Sequence, residues 1–188
     1  MKYNHLKKIF LTAAIAIVNV CAGSAQQADP VKKAVQANEQ KAQAGLLDEE
    51  VAGFLVKAAD ARMMGQKEGA LAIEKGTTLF IRQYGRQMVR DQGILLAQIK
   101  KLAAAGKISL PASISQDKED GRKDLAEKTG KDFDNKFMKM MIIDHKRDIK
   151  DFKKAVDYKD SAVSAFAKKN LPLIQEHLDK IEEIKESK

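Results

Sequence analysis

The chain has 188 residues, of which 44% are hydrophobic and 32% charged, and it carries a formal net charge of +8 and a single cysteine. This length and balance suit one folded domain and exclude an intrinsically disordered chain. Its basic residues are interspersed with acids and are not interleaved with aromatic residues, so we expect a solvated basic surface and no nucleic-acid partner.

Residues 1–25 have the pattern of a secretory signal peptide. Three lysines precede an apolar run over residues 9–20, and small residues then lead to Ala25, after which cleavage is expected. The run is shorter than the roughly 20 residues that cross a bilayer. We therefore predict an exported protein of the periplasm or cell envelope, with no transmembrane span after signal removal and a net charge of +5, because the signal takes away three lysines and no acid.

Cys21 offers an alternative. A lipoprotein would be cleaved before Cys21 and acylated there, which would associate the protein with a membrane surface, although Val20 is bulky for that cleavage. If cleavage follows Ala25 instead, the mature chain has no cysteine and therefore no disulfide or thiolate chemistry.

The rest of the chain is predicted to be helical. Residues 26–47 are rich in Gln, Ala and Lys and favour a polar N-terminal arm, either a tether or a weak helix. The domain is then expected to cover residues 48–186, where apolar residues recur at spacings of three and four. These spacings predict long helices over about 48–75, 78–105, 132–157 and 160–186, with a short polar helix at about 116–129.

No segment shows the alternation of a strand, so the fold class is predicted to be all-α. Four amphipathic helices with one apolar stripe each must share a core, and an antiparallel four-helix bundle is the economical solution. The side chains expected to be buried where the helices converge are Phe137, Phe152, Phe166, Met88 and Ile181.

Two kinds of residue interrupt these helices. Pro172 is expected to bend the fourth long helix near Lys168 or to break it. Four glycines lie within helices, where each costs roughly 1 kcal/mol relative to Ala, and close approach of neighbouring helices is the expected reason for Gly65, Gly69, Gly85 and Gly93.

The residues 51–184 resemble a known family. The matching stretches are Phe54-Leu55, Ala58-Ala59-Asp60, Met88-Val89-Arg90-Asp91, Phe133-Asp134, Asp144-His145, Leu171-Pro172 and His177-Leu178. They identify the chain as similar to the bacterial envelope proteins grouped as domain-of-unknown-function family 4142, which are regarded as ferritin-like four-helix bundles. The resemblance implies that fold and no molecular activity. The short polar helix predicted at about 116–129 adds one short extra helix in the long connection.

The resemblance also implies which residues point into the bundle. They are Gly65 or Glu68, Gln92, His145 and His177, although the family usually has a glutamate near Gly65 and a histidine in place of Gln92. A di-iron centre needs Glu-x-x-His pairs, but Ile142 and Ile174 lie three residues before the two histidines. A ferritin-type oxidoreductase would therefore lack part of its ligand set.

Two interpretations of these inward residues stay open. His145, His177 and Glu68, with Gln92 or water, could hold a divalent metal such as zinc. Alternatively, Gln92, His145, His177 and Glu68 form a neutral, hydrogen-bonded polar core cluster, which we favour because buried polar groups pair with protein groups far more often than with metals.

The leading functional hypothesis follows from this second interpretation. We expect an exported envelope protein that is not an enzyme and acts in a structural, stress-related or interaction role, with no cofactor and no catalytic residue that the sequence reveals. The alternative is a periplasmic metal-binding protein that uses the core histidines.

Overall fold

The computed structural model describes residues 28–187, and the predicted signal peptide over residues 1–25 lies outside that range. The described part of the chain holds no strand, and its helices are α1 (Pro30–Gln43), α2 (Glu49–Lys75), α3 (Leu79–Ala105), α4 (Gln116–Glu127), α5 (Gly130–Ala155) and α6 (Ser161–Glu186). The all-α prediction is confirmed. The bounds of α2 to α6 fall within two residues of those expected from apolar spacing.

Helices α2, α3, α6 and α5 form a four-helix bundle in which each packs against the next around the ring. Helices α3 and α6 are antiparallel, because Asn170 donates to Gln98 while Lys180 donates to Gln87. Thr77 precedes α3 and hydrogen-bonds to Asp134 at the start of α5. The connection that carries α4 therefore runs the length of the bundle, as the single long crossover of a ferritin-like fold does.

The segment predicted as a polar arm folds as α1 and packs against α2. Asp29 caps its first turn by accepting from the backbone N–H groups of Val31 and Lys32. The amide of buried Asn38 makes two 2.8 Å hydrogen bonds with the backbone of Ser109, one in each direction. Composition alone left a tether and a weak helix open, and this pairing with the distant crossover holds the helix α1 on the bundle.

The five predicted core residues are buried, Phe166 being the most exposed at 6%. The expected close helix approach is found at Gly69 and Gly85, where a Cβ on either glycine would stand 2.7 Å from the other's carbonyl oxygen. These two glycines set the distance between α2 and α3.

Pro172 does not break α6, which continues from Ser161 to Glu186. In a regular helix the N–H of residue 172 would donate to the carbonyl of Lys168, but proline has no N–H. Both Pro172 and Lys168 lie on the exposed side of the helix. The freed carbonyl can therefore be hydrated while the buried stripe of α6 keeps its packing. Within residues 28–187, no helix has both the length and the apolar character needed to cross a membrane.

Candidate functional site: a polar pocket between α2 and α5

A pocket of about 190 Å³ lies between α2 and α5, with Gln92 of α3 and Lys118 of α4 also in its wall. Its lining mixes apolar side chains with charged ones, and four polar or charged residues on its wall are at most 3% exposed: Arg62, Glu68, Gln92 and His145. Each of these four has at least one buried polar side-chain atom without a hydrogen-bond partner in the described protein. Buried polar groups are ordinarily paired, so this concentration at one pocket is the unusual feature of the molecule.

Glu68 is brought into the pocket by the helical period of α2. Gly65 lies one turn before it on the same face, and the missing side chain at Gly65 leaves room for the Gln92 side chain, whose Cγ would be 3.0 Å from a Cβ at that position. Burial, and then the negative charge of Asp144, raise the pKa of Glu68 well above its ordinary value. The Glu68 carboxyl is therefore held toward its neutral, protonated form.

His145 has a defined tautomer because its Nδ1 lies 2.7 Å from the backbone carbonyl oxygen of Met141. A carbonyl oxygen only accepts, so Nδ1 carries the proton and donates it, which leaves Nε2 as a lone-pair acceptor. Burial lowers the pKa of His145 to about 3, so the ring is neutral near pH 7. Its buried Nε2 has no partner among the described residues.

His177 is held in the same manner from α6. Its Nε2 lies 3.0 Å from Oδ2 of Asp91, and its Nδ1 is buried without a described partner. Burial lowers the pKa of His177, and the hydrogen bond that its Nε2–H donates to Asp91 opposes this shift. The ring of His177 does not line the pocket but lies behind His145, with the two ring centroids 5.5 Å apart.

Arg62 is the buried charge of the pocket. Its Nη2 donates to Asp148, whereas its Nε and Nη1 have no partner among the described residues. The guanidinium also lies over the ring of Phe152, 5.8 Å from the centroid. Burial lowers the pKa of Arg62 to about 10, which still leaves it protonated near pH 7. A buried cation with two donor nitrogens that have no described partner is a binding group for an acceptor.

The four residues predicted for the site are all buried, and three of them, Glu68, Gln92 and His145, share this pocket. The expected pairing is only partly found. His145 bonds to a backbone carbonyl and His177 to Asp91, and the amide nitrogen of Gln92 contacts the sulfur of Met88 at 3.7 Å. The cluster is therefore not closed on itself.

The arrangement of His145, His177 and Glu68 bears on the hypothesis that they hold a divalent metal. Among residues 28–187, no group of three or more His, Cys, Asp or Glu side chains is arranged to hold a metal ion. The di-iron ligand set that a ferritin-like fold suggests does not fit this chain, because Ile142 and Ile174 stand where carboxylates are needed. Metal binding by His145, His177 and Glu68 stays a prediction.

Three residues of the site were missed by sequence reasoning: Arg62, Asp91 and Asp148. Arg62 falls on the buried stripe of α2, four residues after Ala58 and three before Gly65, and Asp91 falls three residues after Met88 on α3. A strict count of helical spacing would have placed Arg62 and Asp91 on the buried faces of their helices. A charged side chain on an apolar stripe was the available signal, because such residues are seldom buried without a partner.

The protein belongs to the class of all-α, ferritin-like four-helix bundles. Its bundle has a crossover helix and a polar pocket between two of the long helices. More narrowly, the chain belongs to the family described as Domain of unknown function (DUF4142), whose family model matches residues 32–184.

A solved structure supports the same fold. "Crystal structure of DUF305 fragment from Deinococcus radiodurans" is similar to this chain with a TM-score of 0.66 and 12% sequence identity, over 73% of this chain and 96% of that one. At that identity the likeness concerns the fold alone. The chain matches no curated protein.

Proposed function

We propose that this protein is an exported helical-bundle protein of the cell envelope that acts by binding a small molecule, in a stress-related or interaction role and without catalysis. The observation that carries the binding role is the pocket between α2 and α5, where Arg62, Glu68, Gln92 and His145 each hold buried polar atoms without a described partner. A ligand that pairs these atoms removes a desolvation cost of about 1–3 kcal/mol for each group.

Export is supported by the lysine-rich start, apolar run and small residues of the first 25 positions. Intact-mass analysis of protein recovered from the envelope should give a chain that begins at Gln26 and carries no lipid. An acylated chain that begins at Cys21 would replace this with a membrane-anchored lipoprotein, and a full-length chain in the cytoplasm would contradict export.

Binding can be tested without knowing the ligand. The purified protein is mixed with a small-molecule extract of the envelope, and its thermal unfolding midpoint is compared with that in buffer; a bound molecule raises the midpoint by mass action. Ala61→Leu places a larger side chain on the pocket wall, whereas Ala104→Leu makes the same change at an exposed site on α3. We expect the rise in the parent and in Ala104→Leu and its loss in Ala61→Leu. An equal rise of the midpoint in Ala61→Leu and in Ala104→Leu would contradict binding in the pocket.

A second candidate function is metal binding, and one observation favours it. His145 Nε2 and His177 Nδ1 are both lone-pair nitrogens without a described partner, each ring donates its other nitrogen to a fixed acceptor, and the rings are 5.5 Å apart. Metal-binding histidines are held by such outer hydrogen bonds. Zinc should then raise the unfolding midpoint by several degrees, and the rise should vanish in His145→Ala and in His177→Ala. An unchanged midpoint would leave the two rings as core residues.

A further inference from the structure

The unpaired hydrogen-bond donors and acceptors of the pocket belong to different residues, and this division indicates the chemistry of its ligand. Arg62 supplies the donors, since Nε and Nη1 are N–H groups that cannot accept. Three other residues of the wall supply acceptors: the amide oxygen of Gln92, the unprotonated Nε2 of His145 and a carboxyl oxygen of Glu68. A ligand that satisfies the pocket must therefore carry both an acceptor group and N–H donors.

Charge restricts the ligand further. Apart from Glu68, four basic and four acidic side chains line the pocket, so its wall has no net charge that would favour a simple anion or a simple cation. A carboxylate alone would leave Gln92 and His145 unpaired, and an amine alone would leave Arg62 unpaired. A zwitterion pairs both groups: its carboxylate faces Arg62, and its ammonium has three N–H donors for the acceptors of Gln92, His145 and Glu68.

Size and spacing limit its length. An apolar cavity of about 150 Å³ in another protein takes benzene, so about 190 Å³ suits a molecule of about six to ten non-hydrogen atoms. Arg62 and Glu68 are six residues apart on α2, which is a rise of about 9 Å along the helix. This favours a ligand whose two charged groups are separated by several bonds.

We propose that the pocket between α2 and α5 binds a short linear amino acid with its carboxylate on Arg62 and its ammonium among Gln92, His145 and Glu68. This assignment rests on the proposed binding function and names its ligand class. The carboxylate is held by two charge-assisted N–H donors, and the ammonium completes three acceptors that are otherwise buried without partners.

The experiment uses three probes that differ only in their ends: 4-aminobutanoate, butanoate and butylamine. At about a hundredfold excess over the dissociation constant, 4-aminobutanoate should raise the unfolding midpoint by about 5 to 10 °C. Butanoate and butylamine should give little or no rise at the same concentration. A rise with either single-ended probe as large as that with 4-aminobutanoate would overturn the zwitterion assignment.

Variants locate the site on named atoms. Gln92→Met removes the buried amide and should weaken binding of 4-aminobutanoate at least tenfold, measured by titration calorimetry, while Gln83→Met makes the same change at an exposed position of α3 and should bind like the parent. Because Arg62→Met would leave Asp148 unpaired, it is combined with Asp148→Asn, and this double variant should fold and lose binding. Binding that survives in both pocket variants would overturn the proposal.

Failure of this assignment can be distinguished from failure of the proposed function. If the envelope extract raises the midpoint but 4-aminobutanoate does not, the pocket binds another class of molecule and the amino-acid assignment is wrong. If zinc alone raises it, the metal-binding alternative replaces the assignment. If neither the extract nor any probe raises it, both the assignment and the binding function are wrong.

Discussion

Gly85 is the position at which the structure makes the sharpest prediction about stability. It faces Gly69 where α2 crosses α3, and a Cβ at Gly85 would stand 2.7 Å from the carbonyl oxygen of Gly69 and 2.9 Å from the Cβ of Ala72. These obstacles belong to the backbone and to a short side chain, so neither can rotate away. Gly85→Ala must therefore push the two helices apart.

The magnitude follows from two opposing effects. Replacing a helical glycine with alanine contributes roughly 1 kcal/mol through backbone propensity, whereas overpacking a tight contact costs about 1–3 kcal/mol and sometimes more. Because both backbones are involved, we expect the upper end of that cost and a net loss of about 2 kcal/mol. Gly53 provides the matched control, since it lies in α2 with no atom within 4 Å of its Cβ position. Gly53→Ala should gain about 0.5–1 kcal/mol.

Guanidinium unfolding followed by far-UV circular dichroism measures both variants against the parent. The two should move in opposite directions and differ by about 3 kcal/mol, or about 6 to 12 °C in the unfolding midpoint for a chain of this size. If Gly85→Ala were as stable as the parent, or if both variants shifted alike, the close crossing of α2 and α3 would be wrong.

Three further predictions concern the core and the pocket. Phe152 is 1% exposed and contacts Phe54 and Phe166, so Phe152→Ala should cost about 3–5 kcal/mol in chemical unfolding, and a change within error would contradict the assigned core. Burial raises the pKa of Glu68, so above about pH 4.5 the unfolded chain loses a proton that the folded chain keeps, and stability falls as pH rises. Glu68→Gln should therefore be more stable than the parent at pH 7, with the difference vanishing below about pH 4.5; an equal difference at both pH values would refute this. Burial lowers the pKa of His145 to about 3, so between about pH 3 and 6.5 the unfolded chain binds a proton that the folded chain does not. The stability that this residue contributes is therefore lost as the pH falls through that window. His145→Gln should make the urea-unfolding midpoint depend less on pH there.

The sequence by itself determined the fold class and the helix bounds. Residues three and four apart share one face of a helix, so the apolar stripes follow directly from the order of residues along the chain. The family resemblance then implied that Glu68, Gln92, His145 and His177 point into the bundle. The sequence also showed that the ligands of a di-iron centre are incomplete. Residue spacing decides which side chains share a helix face, and Ile142 and Ile174 stand where carboxylates are needed.

Only the tertiary structure decided how those inward residues are paired. The partner of His177 is Asp91 on another helix, and Arg62 meets Asp148 across the gap between α2 and α5. Such pairs depend on the rotation and spacing of whole helices, which the close crossing at Gly69 and Gly85 helps to set. No local pattern contains that information, since each pair joins residues 86 positions apart in the chain. The pocket with its unpaired donors and acceptors exists only once those helices are assembled.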